Sequence, residues 1–265
     1  MNASPPGQAA RRAQYLAALG IDLWHSRSPP APAKAPVAMP AVPEPELQPG
    51  TATQPAPGTA PPASAPAPSS ESRTEAPGVW QALRAEVSAC RRCGLCNSRT
   101  QTVFGVGNPA APVLVVGEAP GAEEDRQGEP FVGRAGQLLN AMLRALGHPR
   151  ETVYIANILK CRPPGNRDPS AAEVASCLPY LHRQIELLAP RLILVVGRIA
   201  AQSLLATDTS IGRLRGHLHH YGAAGTPLVV TYHPAYLLRS PGEKRRAWAD
   251  LKAARAALTR TASEA

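Results

Sequence analysis

Five cysteines, an acid-rich Gly-Pro turn, and an asparagine and a histidine at the ends of apolar runs are the residues of this chain best suited to chemistry. Cys90 and Cys93 form a CxxC pair, and Cys96 makes a second with Cys93. Cys161 and Cys177 lie far downstream, with fifteen residues between them. Two residues between thiolates let both reach one metal from a single turn, and a distal pair completes four-thiolate coordination if the fold gathers the segments. Three readings compete: isolated buried thiols, a structural zinc site, which prefers two tight pairs, and an iron–sulfur cluster, whose bulk suits the wide downstream spacing. Spacing alone separates neither zinc from cluster nor four ligands from five cysteines.

The other groups each have a plain alternative. Gly117, Pro120 and Gly121 make a tight turn where backbone can approach a ligand, and its N–H groups can bind water, phosphate or an oxyanion. Glu118 and the run Glu123, Glu124, Asp125 surround that turn. Acids at a helix start favour the dipole, so a solvated first turn is the plain reading of the run. Asn157 can read a ligand with its amide or merely cap a loop. Phe131, flanked by Gly128, Pro130 and Gly133, can be ordinary core, and His233-Pro234 an ordinary strand-end turn. There is no HExxH and no convergent carboxylate cage, so no divalent metal is expected in the chemistry.

These residues need elements to hold them. Val113–Val116 is a short buried strand ending at Gly117, and Val153–Ile158, Leu192–Val196 and Leu228–Tyr232 are three more. Between them fall helical patterns over Gln137–Leu146, Ser170–Leu188, with Asp168-Pro169 as its start signal, and Arg198 to Leu205. Trp80, Leu83 and Val87 share a face of a helix running into Cys90, and Glu243–Leu258 is a closing helix. This alternation predicts an α/β fold: a central, mostly parallel four-stranded sheet with helices on both faces. Sites in such sheets lie beyond the carboxyl ends of the strands, where Gly117–Asp125, Asn157–Arg167 and His233–Arg239 all fall.

Composition bounds the rest. Half of the 30 prolines lie between Pro29 and Pro77, in a stretch with almost no large apolar residue. Residues 29–78 are therefore expected to be a disordered linker, leaving residues 79–265 as one folded domain. Residues 9–25 read as a short amphipathic helix within a 1–28 extension; it docks on its own domain or serves as a tethered recognition peptide for a protein partner. The net charge of +9 falls essentially on the C-terminal domain and suits a polyanion. The N-terminus lacks a secretory apolar run and no stretch is fit to span a bilayer, so a cytoplasmic protein with no membrane partner is expected.

Taken together, several segments are specific. CxxC followed by RTQTVFGVGNP, then GEAPGAEED, GEPFVGRAGQLLN, YIANILKCRPPGNRDP, the Cys177 spacing and HPAYLLR agree in order and spacing with one family. From about residue 80 to 258 the chain resembles the family 4, iron–sulfur uracil-DNA glycosylases. The resemblance implies an enzyme that flips deoxyuridine out of single- or double-stranded DNA and hydrolyses its N-glycosidic bond, acting as a monomer on nucleoid DNA. It implies a [4Fe–4S] cluster held by Cys90, Cys93, Cys161 and Cys177, with Cys96 as a spare thiol.

The same resemblance implies roles. The Asn157 amide accepts from uracil N3–H and donates to O4, a pattern that cytosine reverses. Phe131 stacks on the base, a contact worth about 1–3 kcal/mol. Neutral His233 donates to O2 as charge develops there, worth about 2.7–4 kcal/mol by analogy with oxyanion holes. Gly117, Ala119 and Gly121 line the substrate; better-known relatives carry an aspartate at the position of Ala119. Glu124 and Glu118 are nominated as the catalytic carboxylates, Glu124 preferred for water and Glu118 as a wall against thymine's methyl. Leu237 and Leu238 are expected to wedge into the duplex, and Arg239, Arg162 and Arg167 to hold phosphates. The alternative is a non-catalytic iron–sulfur DNA-binding protein that recruits repair factors; the intact GEAPG and HPAYLL segments argue against it.

Overall fold

The apolar runs do become strands, because each is buried on both faces and carries no alternation for solvent to select. A computed structural model describes residues 76–263; the helix expected over 9–25 and nearly all of the expected linker lie outside them. The strands are β1 (Val106–Gly107), β2 (Val113–Gly117), β3 (Tyr154–Asn157), β4 (Leu192–Val196), β5 (Leu218–Tyr221) and β6 (Thr226–Thr231). They form one six-stranded sheet in the order β1-β3-β2-β4-β6-β5. The β3-β2, β2-β4 and β4-β6 pairs are parallel, as expected. The four-stranded expectation is short by two edge strands, each antiparallel to its neighbour. β1 has only two residues, too few to carry a period, and the pattern Leu218-His219-His220-Tyr221 offers no apolar run.

Eight helices are described: α1 (Ala76–Ser88), α2 (Ala122–Gln127), α3 (Arg134–Leu146), α4 (Ala171–Leu188), α5 (Arg198–Leu205), α6 (Ile211–Leu214), α7 (Pro234–Arg239) and α8 (Lys244–Ser263). α1 starts two residues before the expected end of the linker. Alternate residues of each strand feed two cores. Leu114, Val116, Ile193, Val195 and Val230 pack with Leu83 and Val87 of α1, Leu181 of α4 and Ala200 of α5. Val113, Val115, Ile155, Leu194 and Val229 pack with Leu139 and Leu143 of α3 and Leu251 and Ala254 of α8. Helices thus cover both faces. Among the described residues no helix is long and apolar enough to cross a membrane.

The start of α4 is set by a capping box. The Glu173 N–H donates to Ser170 Oγ at 3.3 Å, and the Ser170 N–H donates back to Glu173 Oε2 at 2.8 Å. Because the central strands run parallel, Gly117, Asn157, Val196 and Thr231 end on one edge, and the loops after them share that edge.

Candidate functional site

Gly117 closes β2 directly beside Asn157, which closes β3. A Cβ built on Gly117 would stand 2.5 Å from Asn157 Oδ1 and 2.6 Å from Phe131 Cζ. The amide, the ring and the bare glycine therefore border one space. Asn157 is 2 % exposed, and its Oδ1 is a buried acceptor with no donor. Leaving such an atom unpaired costs about 1–3 kcal/mol, so it marks the place where a ligand N–H belongs. The β2 and β3 loops are laced together: the Ile158 N–H donates to the Gly117 carbonyl and the Leu159 N–H to the Glu118 carbonyl, both at 2.9 Å.

Phe131 is held in a conformation its side chain disfavours, with φ of +56°. Two features hold it there. Gly136 of α3 lies so close that a Cβ would sit 1.8 Å from the Phe131 carbonyl oxygen. Arg150 donates to the Pro130 carbonyl at 2.7 Å and to the Phe131 carbonyl at 3.3 Å. Arg150 is a positioning residue that sequence reading missed, because its acceptors are main-chain carbonyls that leave no trace in side-chain spacing.

The His233 ring lies 5.6 Å from the Phe131 ring, centroid to centroid. Its Nδ1 accepts the Ala235 N–H at 3.2 Å, which leaves Nε2 as the ring's proton-bearing nitrogen in the neutral form. Burial pushes its pKa down to about 4, the Arg239 charge pushes the same way, and Glu124 opposes them. The imidazole is therefore a neutral donor at ordinary pH. Gly197, at φ +103°, lets the histidine approach: a Cβ there would meet the His233 Cβ at 3.2 Å.

The two nominated carboxylates differ. The Val132 and Gly133 N–H groups donate to Glu124 Oε1 at 3.0 and 3.1 Å, tying it to the start of α3, and a Cβ on Gly121 would come within 2.6 Å of Oε2. Glu124 thus positions the Phe131 loop. Glu118 is half-buried, and burial pushes its pKa up to about 7, with Asp168 adding to the rise and Arg198 opposing it. Asp168 and Arg198 themselves pair at 2.8 Å. Ala119 is half-buried against the core beneath the turn.

The acidic run is not uniformly solvated. Glu123 is exposed and paired with Arg126, but Asp125 is 3 % exposed. Its carboxylate accepts the Thr100 N–H at 2.9 and 3.0 Å and the Gln101 N–H at 3.4 Å, stapling the segment after the cysteines onto α2. Spacing could not reveal this, since the donors are backbone groups some 25 residues away.

Of the expected wedge, only Leu238 faces outward, at 38 % exposure; Leu237 is 1 % exposed and packs into the core beside α3 and α8. The i, i+1 spacing on a helix points the two in different directions, so the pair does not act together. Arg167 is committed to Glu173 at 2.6 Å within the capping box, and Arg162 donates to Asn166 Oδ1 at 2.7 Å. Arg239 is exposed on α7, close enough for its charge to bear on His233.

A second pocket gathers Cys90, Cys93, Cys96, Cys161 and Cys177 with Arg99 and Lys160. All five are free thiols. Arg99 donates to Cys161 Sγ at 2.9 Å and to the Cys90 carbonyl at 2.9 Å, bridging the two cysteine segments. The Lys160 N–H donates to Cys177 Sγ at 3.2 Å. Burial pushes the Cys177 thiol up to about 11, against the pull of Lys160, and the charges of Cys161 and Cys90 push it further up. Burial likewise raises Cys161; Arg99 lowers it, and Cys93 and Cys90 raise it. Cys96 Sγ instead donates to Asn97 Oδ1 at 3.4 Å. Among the described residues no three His, Cys, Asp or Glu side chains are grouped to hold one metal ion.

Lys160, unremarked in the sequence, joins the two sites. It is 1 % exposed, and its Nζ donates to the Asn157 carbonyl at 2.8 Å and to Gln184 Oε1 at 2.6 Å. Gln184 in turn donates to the Phe104 carbonyl at 3.0 Å.

Comparison with known proteins gives a consistent answer. Residues 104–252 match the profile described as "Uracil DNA glycosylase superfamily". The chain is similar to the type-4 uracil-DNA glycosylase of Archaeoglobus fulgidus, 44 % identical over 173 residues, covering 63 % of this chain and 87 % of that protein. It is 43 % identical to that of Thermotoga maritima over 169 residues, covering 63 % and 88 %. It is 40 % identical to that of Sulfurisphaera tokodaii over 177 residues, covering 64 % and 80 %.

Proposed function

The chain belongs to the uracil DNA glycosylase superfamily and, within it, to the type-4 uracil-DNA glycosylases, and from that premise we propose how its strand-end cavity removes uracil from DNA. A deoxyuridine is flipped out of the stack into the space before Gly117. Phe131 stacks on the base. The orphaned Asn157 Oδ1 accepts N3–H while the amide N–H donates to O4. Cytosine has a lone pair where uracil carries N3–H and would leave Oδ1 unpaired, so it is rejected.

Water adds to C1′ as the C1′–N1 bond breaks, leaving an abasic site. Uracil departs as an anion whose charge spreads to O2, where the His233 Nε2–H meets it without first losing or gaining a proton. The water's proton passes to a carboxylate. Glu118 suits that task better than Glu124, whose Oε1 is already saturated by two backbone donors. Leu238 and Arg239, exposed on α7, are the wedge and phosphate contacts.

The donor set of the second pocket fits a [4Fe–4S] cluster better than one zinc ion. Such a cluster takes one thiolate per iron, and the pocket offers thiols from segments far apart in the chain. Cys90, Cys93, Cys161 and Cys177 would hold it, and Arg99 and Lys160 set positive charge beside the thiolates. A bound cluster would cross-link the segment after α1 to the β3–α4 loop and to α4.

The observation that carries this reading is the buried, unpartnered Asn157 oxygen facing the Phe131 ring across a glycine. The test is uracil-dependent strand cleavage after alkali, on single-stranded and duplex oligonucleotides. Asn157→Ala and His233→Ala should each lower the rate by about 100- to 1,000-fold. Undiminished rates in both would overturn the site.

A further inference from the structure

α8 buries Ala247, Leu251, Ala254 and Ala257 against the sheet. The side flanking that buried face carries Trp248, 42 % exposed, among the exposed Lys244, Arg245, Lys252 and Arg255. At 3.6 residues per turn, residues 244, 248, 252 and 255 fall in one stripe about 16 Å long, with Arg245 beside it. Among the described residues, the carboxylate on this helix is Asp250, which is buried and paired with Arg215 at 2.8 Å. Glu243, just before the helix, pairs with Arg246. The four cations of the stripe therefore have no neutralising partner on their own element.

α8 begins five residues after Arg239, the last residue of α7. Thr231, the last residue of β6, donates to Asp250 Oδ2 at 2.9 Å, so the buried face of the first two turns of α8 is anchored to the strand that delivers His233. A tryptophan ringed by like charges repels a second copy of itself and favours a polyanion with exposed ring faces. Only unpaired bases offer such faces, and stacking on an indole with phosphates on flanking cations is how proteins track single strands.

We propose that the stripe Lys244–Arg245–Trp248–Lys252–Arg255 is a binding track for single-stranded DNA flanking the uracil site. Trp248 stacks one unpaired base, and the four cations take successive phosphates. This rests on the glycosylase reading above and extends the DNA contact beyond the cavity.

The test uses the full-length protein, a uracil-free thirty-nucleotide single strand and a series of salt concentrations. Substituting Lys244, Arg245, Lys252 and Arg255 together by Gln should weaken binding at least about ten-fold and reduce the slope of log affinity against log salt by about 2–3, since each neutralised phosphate of a single strand contributes roughly 0.7. Trp248→Ala should weaken binding by about ten-fold with the slope unchanged. Release of uracil from a pentanucleotide with a central deoxyuridine, which reaches only the rim, should stay within about two-fold in both variants. Unchanged affinity and slope in both overturn the track, as does an equal loss of rate on the pentanucleotide. Concentration-dependent self-association abolished by Trp248→Ala, with strand binding intact, would assign the face to a second copy and also overturn it. Failure of the unsubstituted protein to release uracil from the pentanucleotide would instead strike the glycosylase reading and leave the binding result standing.

Discussion

The base cavity and the thiol pocket lie on either side of Lys160 and are built on opposite principles. The side chains of the base site hold their places without a ligand. His233 is oriented by the backbone two residues on, Phe131 by Arg150 and Gly136, and Asn157 by its place in the sheet, so a single acceptor stays open. The pocket is closed by Arg99 spanning two distant segments, and burial holds its Cys161 and Cys177 thiols above their ordinary range. One region is preorganised for a neutral guest that comes and goes; the other is held against charge until something cationic resides there. Damage to the first should remove chemistry and spare the fold, whereas damage to the second should loosen the fold.

The sharpest way to break this contrast is Gly117→Ala. The new methyl would stand 2.5 Å from Asn157 Oδ1 and 2.6 Å from the Phe131 ring, so one of them must move. Steady-state kinetics should show kcat/KM lowered by at least about 100-fold, since displacements near 1 Å cost that much, while iron content is unchanged. A variant as active as the parent would mean the cavity is not preformed. Next in size is Cys161→Ser, which should lose its iron and visible absorbance and melt several degrees lower, because metal-binding energy is folding energy in such sites. Cys96→Ser, altering a thiol bonded to Asn97, should keep both. Equal losses in the two would refute the choice of ligands.

The smallest effect concerns Glu118. Its carboxyl stays protonated up to about pH 7, whereas an ordinary glutamate ionises near 4.5. Between those values the folded chain holds a proton that the unfolded chain has released, so stability falls as pH rises across that window and the penalty remains above it. Glu118→Gln removes the penalty. It should stabilise the protein by about 1 kcal/mol above pH 7, allowing for solvent screening of a half-exposed group, with the gain vanishing below about pH 4.5. If Glu118 receives the water's proton, kcat/KM of the parent should also rise through pH 7, and that rise should be absent in the variant. A rise that persists would return the role to Glu124.

Residues that interact through their own pattern were legible, and those that act on the backbone were not. VLVV and LILVV announce buried parallel strands, and the alternation of elements puts Asn157 and His233 at strand ends; Phe131 reaches them from the loop between α2 and α3. The acidic run suggests a solvated Asp125, and nothing in the sequence marks Arg150 or Lys160, because the partners of all three are main-chain N–H and carbonyl groups brought close only by the fold. Leu237 looked like half of a wedge because its rotation about α7 is fixed by packing against α3 and α8, which composition does not state. β1 and β5 were too short or too polar to stand out from loop.

Lys160 gives the molecule a property that neither site has alone. Its ammonium group clasps the carbonyl of Asn157 while its own amide hydrogen rests on the sulfur of Cys177. Only two intervening residues and two short polar contacts separate the sulfur of Cys177 from the amide of Asn157. The sulfur pocket and the amide therefore hang from one peg, and a disturbance of the first reaches the second before it reaches the sheet.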